Sequence, residues 1–331
     1  MTTLPAVAGA HPALAWRPLA TDDLPALTTL AGQCLAGDGG QPFFADPGFV
    51  RSGYLSGAET IGGFNEQTLV CASSLRIITA GSAGQTPGPG FQAVTTGMVA
   101  PAWRRRRIGS WALDWALTRA RAAAAMAGTA TLVRAESEES AGSPALLRAE
   151  SEALSDGAHA LYLARGLKQI LAEDVMQLAA DEPGPSVTPP PELTLTEWPA
   201  ASPARFFALY QAAFRERPGF PDPTEAEWSQ WISDDEDFVP AWTLLASLDG
   251  VDLGYVAGER TGWIAQVGVI PQARGRAVGA HLIAEVVRRM RAAGETTMTL
   301  NVNVNNPHAA GLYRRLGFRR TGRRSRYQGP I

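Results

Sequence analysis

Residues 264–283 read Ile264-Ala-Gln-Val267-Gly-Val-Ile-Pro271-Gln-Ala-Arg274-Gly-Arg-Ala-Val-Gly279-Ala-His-Leu-Ile283. An apolar, β-branched run meets a proline stop, then a short Arg/Gly turn, then the start of an amphipathic helix. The first N–H groups of such a helix have no partner inside it, and its dipole is positive at that end, so a phosphate is held well there. Arg274 and Arg276 add charge. Gly275, Ala277, Gly279 and Ala280 are small enough for a pyrophosphate to approach the backbone. By itself the turn also suits any strand-to-helix connection in which glycine serves geometry alone.

The residues downstream of the turn narrow the reading. Leu282, Ile283, Val286, Val287 and Met290 share one helical face, and Gly294 marks the stop. A strand is expected at 296–302. Asn306-Pro-His-Ala309 comes next, with Leu312-Tyr313 and Leu316-Gly317-Phe318 close behind. This succession resembles the Gcn5-related N-acetyltransferase (GNAT) superfamily. That family's pattern is Val-x-Pro, Gln/Arg-x-x-Gly-x-Gly/Ala, then Asn-x-x-Ala-x-x-Leu-Tyr-x-x-x-Gly-Phe. It is met here by Val269, Pro271, Arg274, Gly279, Asn306, Ala309, Leu312, Tyr313, Gly317 and Phe318. Ala277 stands where the first loop glycine is usual, a replacement expected to be tolerated if φ stays negative.

A second copy lies upstream. Displaced by 170 positions, Val99, Pro101, Arg104 and Gly109 fall on Val269, Pro271, Arg274 and Gly279. Displaced by 151, Leu161-Tyr162 and Gly166 fall on Leu312-Tyr313 and Gly317. The extra residues of the first copy are expected mostly within 136–156. That copy reads as eroded: Arg107 takes the place of the first loop glycine, where a long side chain would crowd a pyrophosphate, and no Asn-x-x-Ala precedes Tyr162. The run Arg104–Arg107 is open to three readings: phosphate binding by charge, a solvated turn, or RNA contact. A matched strand, turn, helix and Leu-Tyr in each half is an internal repeat.

The chain has 331 residues, 45% of them hydrophobic, and a net charge of −3, which suits two globular domains with no bulk attraction to nucleic acid. Its two cysteines, Cys34 and Cys71, have no ligand-type spacing, so neither a disulfide framework nor a metal is expected, and the compartment is read as cytoplasmic. No membrane-length apolar run occurs. The proline-rich stretch 181–191 is read as a linker. It separates an N-terminal GNAT-like domain (1–180) from a C-terminal GNAT domain (192–331). The expected fold is therefore α/β (α+β), two tandem GNAT domains, each with a mixed, mostly antiparallel sheet flanked by helices. Aromatics at 43–64 suit either a substrate-side loop or packing. The acidic run 234–237 suits either a solvated helix end or attraction of a cationic amine.

The resemblance implies acetyl transfer from acetyl-CoA, as co-substrate, to an amine. The pyrophosphate is expected on the turn Arg274, Gly275, Arg276, Ala277, Val278, Gly279 and Ala280. The pantetheine is expected along Val267, Gly268 and Val269, held also by the Asn306 amide. A backbone N–H near Val267 would face the thioester oxygen, and Tyr313 would protonate the departing thiolate. Arg314, Arg315, Arg319 and Arg320 are candidates for the 3′-phosphate. Many relatives carry a glutamate where this chain has Trp263, so no general base is assigned. The double-unit length, with Ala213-Phe214 and Pro218, resembles the tandem type of mycothiol synthase. The expected acceptor is the primary amine of a small molecule, of antibiotic or specialised-metabolite type. The alternatives are a cysteinyl pseudo-disaccharide or a non-catalytic CoA-binding protein. A monomer or homodimer is expected, without nucleic acid or membrane partners.

Overall fold

The structure, a computed structural model, describes residues 11–78, 91–134, 145–198, 202–217, 220–234 and 236–331. In the first half the elements run β1 (Ala15–Arg17), α1 (Leu24–Asp38), α2 (Pro47–Tyr54), β2 (Glu59–Asn65), β3 (Thr68–Ile78), β4 (Gln92–Val99), α3 (Ile108–Arg134), β5 (Leu146–Ser151), α4 (Asp156–Ala164) and β6 (Lys168–Ala179). The second half repeats the order: β7 (Thr194–Glu197), α5 (Pro203–Phe214), α6 (Glu225–Ser233), β8 (Leu244–Leu248), β9 (Val251–Glu259), β10 (Trp263–Val269), α7 (Val278–Ala292), β11 (Thr297–Asn303), α8 (Pro307–Arg315) and β12 (Arg319–Pro330). The internal repeat thus extends over every element.

The chain divides into two compact units, one of residues 1–174 with 322–331 and one of residues 175–321. The division falls inside β6 and inside β12, and the proline-rich stretch 181–191 lies within the second unit. In the first unit the strand paired with β5 comes from the end of the chain, Ser325↔Ser151 through Pro330↔Leu146. In the second unit the strand beside β11 is supplied by Val175–Ala179. The last strand of each copy has changed places. Sequence periodicity holds no signal for such an exchange, because it marks a strand's buried face and not the sheet that the strand joins.

Each unit is a mixed sheet. In the first, β1 to β4 pair antiparallel and β4 runs parallel to β5. In the second, β7 to β10 pair antiparallel and β10 runs parallel to β11. The β8–β9 turn uses Asp249 and Gly250, both at positive φ (51° and 76°), as a two-residue hairpin requires. Thr224 and Glu227 form a capping box at the start of α6. The apolar face of α7, from Val278 through Leu282, Ile283, Val286 and Val287 to Met290, is buried against Leu244, Val256, Ile264, Met298 and Leu300. A second core layer on the opposite face of that sheet is aromatic: Trp198, Phe206, Tyr210, Trp228 and Tyr255.

Of the aromatics at 43–64, Phe44, Tyr54 and Phe64 pack in a core, and Asp46 caps α2 by accepting from the Gly48 and Phe49 N–H groups. α3 runs through its alanines to Arg134, since alanine favours continuation, and so has 27 residues against 15 in α7. Much of the first copy's extra length is therefore helix rather than the segment 136–156, in which β5 also lies; 135–144 falls outside the described residues, as does Pro218.

Candidate active site

The second unit opens where β10 leaves β11. The two strands pair only at Trp263↔Thr299. On its other edge β10 stays on β9 from Trp263↔Glu259 to Val269↔Gly254, with a bulge between Ile264 and Gln266. Ile270 N–H donates to Leu253 O at 3.0 Å. Alternation along the strand then turns the peptide groups of Gly268 and Gln266 toward β9, and those of Val267 and Val269 toward the side β11 has vacated. In the first unit the equivalent strands stay paired over five positions, Gln92↔Leu146 through Thr96↔Glu150. The opening is thus deeper in the second unit.

The strand runs from this opening into the turn before α7. Among the described residues no N–H from Gly275 through Ala280 has a hydrogen-bond partner; the first bond of the helix is His281 N–H to Ala277 O at 2.9 Å. Six consecutive unpartnered donors at a helix N-terminus form a cradle for an anion. Gly275 and Ala277 both lie at positive φ, 77° and 61°. The condition for an easy replacement, a negative φ at Ala277, is not met: the turn needs a left-handed residue there, and alanine takes the conformation at a cost of roughly 1–2 kcal/mol.

Gly279 fits closely. A Cβ there would lie 3.3 Å from Val269 Cγ2 and 3.9 Å from Leu312 Cδ2. This one glycine thus brings together β10, α7 and α8. Gly109 stands in the same relation to Val99 and Leu161, at 3.6 and 3.7 Å.

The arginines are not gathered as the sequence suggests. Arg274 turns back: Nε donates to Val269 O at 3.3 Å and Nη2 to Ala213 O at 3.1 Å, while Nη1 stands 3.5 Å from Glu216. It fastens the end of β10 to the end of α5. Arg104 does the same in the first unit, with Nε on Val99 O and both Nη groups on the Asp38 carboxylate at 2.6 Å. Arg106 lies over the Trp103 ring at 4.8 Å. Arg319 pairs with Glu182 at 2.9 Å. The acidic run is tied by its backbone, Arg260 donating to Glu236 O at 2.6 Å and to Asp237 O at 2.8 Å; Asp235 lies outside the described residues.

Asn306 caps α8. Its Oδ1 accepts from Ala309 N–H at 3.1 Å, which leaves the Nδ2 group free to donate. Ser155 caps α4 in the same way, accepting from Ala158 N–H at 3.2 Å. The first copy therefore does keep this element, as Ser155-x-x-Ala158, and the displacement of 151 positions that aligns Tyr162 with Tyr313 also aligns Ser155 with Asn306. Tyr313 is 8% exposed and burial pushes its phenol up to about 12. It is a protonated donor throughout the neutral range.

Two side chains beyond the expected set stand at the opening. Tyr255, fully buried, donates its hydroxyl proton to Gln266 Oε1 at 2.5 Å. It reaches across Gly268, where a Cβ would fall 2.7 Å from Tyr255 Cε1 and 3.1 Å from Ala213 Cβ. Asn301 lies on β11, between Leu300 and Val302 of the α7-side core, so it faces the other side; its Oδ1 is buried without a hydrogen-bond partner. A period-2 reading of 297–303 puts Asn301 on the face away from the core, and asparagine is a poor strand residue, which is the signal that marks it. Among the described residues no group of three or more His, Cys, Asp or Glu could hold a metal, and no helix is long and apolar enough to cross a membrane.

A mixed sheet whose parallel strands part onto an anion-cradling turn is the frame of a GNAT domain. Residues 203–318 match the model of the Acetyltransferase (GNAT) family. The chain is 30% identical over 167 residues to mycothiol acetyltransferase of Streptomyces griseus; the match covers 48% of this chain and 52% of that protein, about half its length. It superposes on a GCN5-related N-acetyltransferase from Sphaerobacter thermophilus with a TM-score of 0.68 and 22% identity, over 97% of this chain and 96% of the other. A tandem GNAT protein from the clavulanic acid biosynthesis pathway gives 0.54 and 18%, over 96% and 98%. At these identities the structural likeness establishes the fold, two GNAT units in tandem.

Proposed function

We propose that the second unit transfers an acetyl group from acetyl-CoA to the primary amine of a small molecule. The observation that carries this reading is the parting of β10 from β11 after Trp263↔Thr299, opening directly onto the unpartnered N–H groups of Gly275–Ala280. The pyrophosphate sits on that turn, on backbone donors rather than on the Arg274 guanidinium. The pantetheine amides pair with Val267 and Val269 as an added strand would. Asn306 holds the same arm through Nδ2.

The thioester then lies at Val267, whose N–H donates to its oxygen as charge develops. A neutral amine attacks the carbonyl carbon, the C–N bond forms and the C–S bond breaks. The thiolate takes the Tyr313 proton, the nitrogen sheds one proton to solvent, and Tyr313 is reprotonated from solvent. The first unit has its equivalent strands paired further along and Arg107 in its turn, which supports placing the chemistry in the second.

The test is release of free thiol from acetyl-CoA in the presence of a broad panel of primary amines. Amine-dependent release is the expected result. Tight binding of CoA without release over the whole panel would instead favour a CoA-binding protein.

A further inference from the structure

We infer that Gln266 and Asn301 are the acceptor-positioning pair, and that the acceptor is a primary amine bearing a hydrogen-bond-accepting oxygen close to its nitrogen, as in a 2-amino alcohol. The inference rests on the proposed acetyl transfer and deepens it.

Direction along the strand places the pair. The anion cradle lies beyond the C-terminal end of β10, so a chain laid from it along Val269 toward Val267 brings its reacting end to the level of Gln266. Gln266 and Asn301 sit on the two strands that part there, one on each side of the opening. Both point to the face opposite the α7 core: Gln266 because it meets Tyr255 of the aromatic layer, and Asn301 by alternation with Leu300 and Val302.

Their hydrogen-bonding capacities are complementary. The Tyr255 hydroxyl has one proton, and Gln266 Oε1 takes it. The reversed amide would leave that proton buried without an acceptor, so the orientation is fixed by its neighbour. What Gln266 has left to offer is the Nε2 group, a pure donor. Asn301 offers the opposite, a buried Oδ1 with no partner. A neutral amine donates one N–H to Asn301 and keeps its lone pair for attack, while an oxygen on its carbon skeleton accepts from Gln266. Among groups placed at the opening neither is a base, which suits a role in holding the acceptor rather than deprotonating it.

The experiment compares a 2-amino alcohol with the matched alkylamine lacking the hydroxyl, by thiol release, for the wild-type chain and for Gln266→Leu, Tyr255→Phe and Asn301→Leu. CoA affinity and thermal unfolding are measured alongside. The wild type is expected to prefer the amino alcohol in kcat/KM by about tenfold or more, the worth of one well-placed hydrogen bond. Gln266→Leu is expected to erase that preference by raising KM for the amino alcohol alone. Tyr255→Phe, which leaves the amide free to turn, is expected to reduce it. Asn301→Leu is expected to raise KM for both amines alike, with CoA affinity unchanged. Wild-type turnover with no preference, or a preference that survives Gln266→Leu in a folded protein, overturns the inference and leaves acetyl transfer standing. Absence of turnover with any amine overturns the parent reading and this one with it.

Discussion

Ala277 and Arg107 hold the same left-handed backbone conformation, at φ 61° and 62°, in turns displaced by 170 positions. Gly275 and Arg105 repeat the coincidence at 77° and 62°. The turn that swings the chain from strand to helix thus demands left-handed residues whether or not glycine is present. The conformation alone does not separate the two units; the side chains it carries and the parting of the strands do.

The strain is measurable. Ala277→Gly is expected to raise stability by up to about 1 kcal/mol, the left-handed penalty less the added freedom of glycine in the unfolded chain. Ala277→Val is expected to lower it by more than about 1 kcal/mol, since a β-branched residue suits this region least. Chemical denaturation of the two variants checks the order.

Gly279 and Gly109 differ in clearance. A methyl group at Gly109 would meet only ordinary contacts, at 3.6 and 3.7 Å, so Gly109→Ala should gain about 0.5–1 kcal/mol of helix stability. At Gly279 the same gain is opposed by a contact of 3.3 Å with Val269 Cγ2, so Gly279→Ala should be close to neutral. Gly279→Leu should wedge β10 from α7 and weaken CoA binding by about tenfold or more, because the cradle is built from their junction. Calorimetric titration with CoA reads the second effect.

Asn306 combines a cap with the proposed pantetheine contact, and Ser155 shows how to separate them. Asn306→Ala should lose about 1 kcal/mol of stability together with CoA affinity. Asn306→Ser should keep the cap, as Ser155 does, and still lose affinity, because serine has no second donor group in that position. Unfolding and titration on the two variants distinguish the roles.

Tyr313→Phe should lower kcat by about 10²–10⁴ with little change in CoA affinity. With its phenol held near 12 by burial, Tyr313 imposes no loss of activity through pH 10. Tyr162 is likewise raised to about 12. Such groups bind protons more tightly folded than unfolded. Their contribution to stability is complete below pH 10, the unfolded value, and declines as pH rises from 10 toward 12. Melting temperature measured from pH 8 to 11.5 should be level at first and fall above about 10.

Much of this architecture could be read from the chain. The turn at 274–280, the helix behind it and the helix that Asn306 opens could be read, because a strand-to-helix turn and a capped helix need particular residues at fixed spacing. The repeat was visible at Val99 and Leu161. What escaped is physical rather than accidental. The exchange of β6 and β12 escapes because a strand's pattern does not name its partner strand. Arg274 looks like a phosphate ligand by its position, yet its guanidinium reaches the free carbonyls of Val269 and Ala213, acceptors that sequence spacing does not reveal. Ser155 went unseen because the capping oxygen, not the asparagine, is what the first copy retains. Tyr255 and Gln266 meet only because Gly268 leaves room between them, a relation across strands.

The central claim is that the backbone of Gly275–Ala280 binds the diphosphate of coenzyme A. Amide hydrogen exchange of the full chain with and without CoA tests it most directly. The expected result is saturable slowing of exchange at 275–280, accompanied by Val267 and Val269. Exchange at those amides unchanged at saturating CoA, or no binding at all, would contradict it.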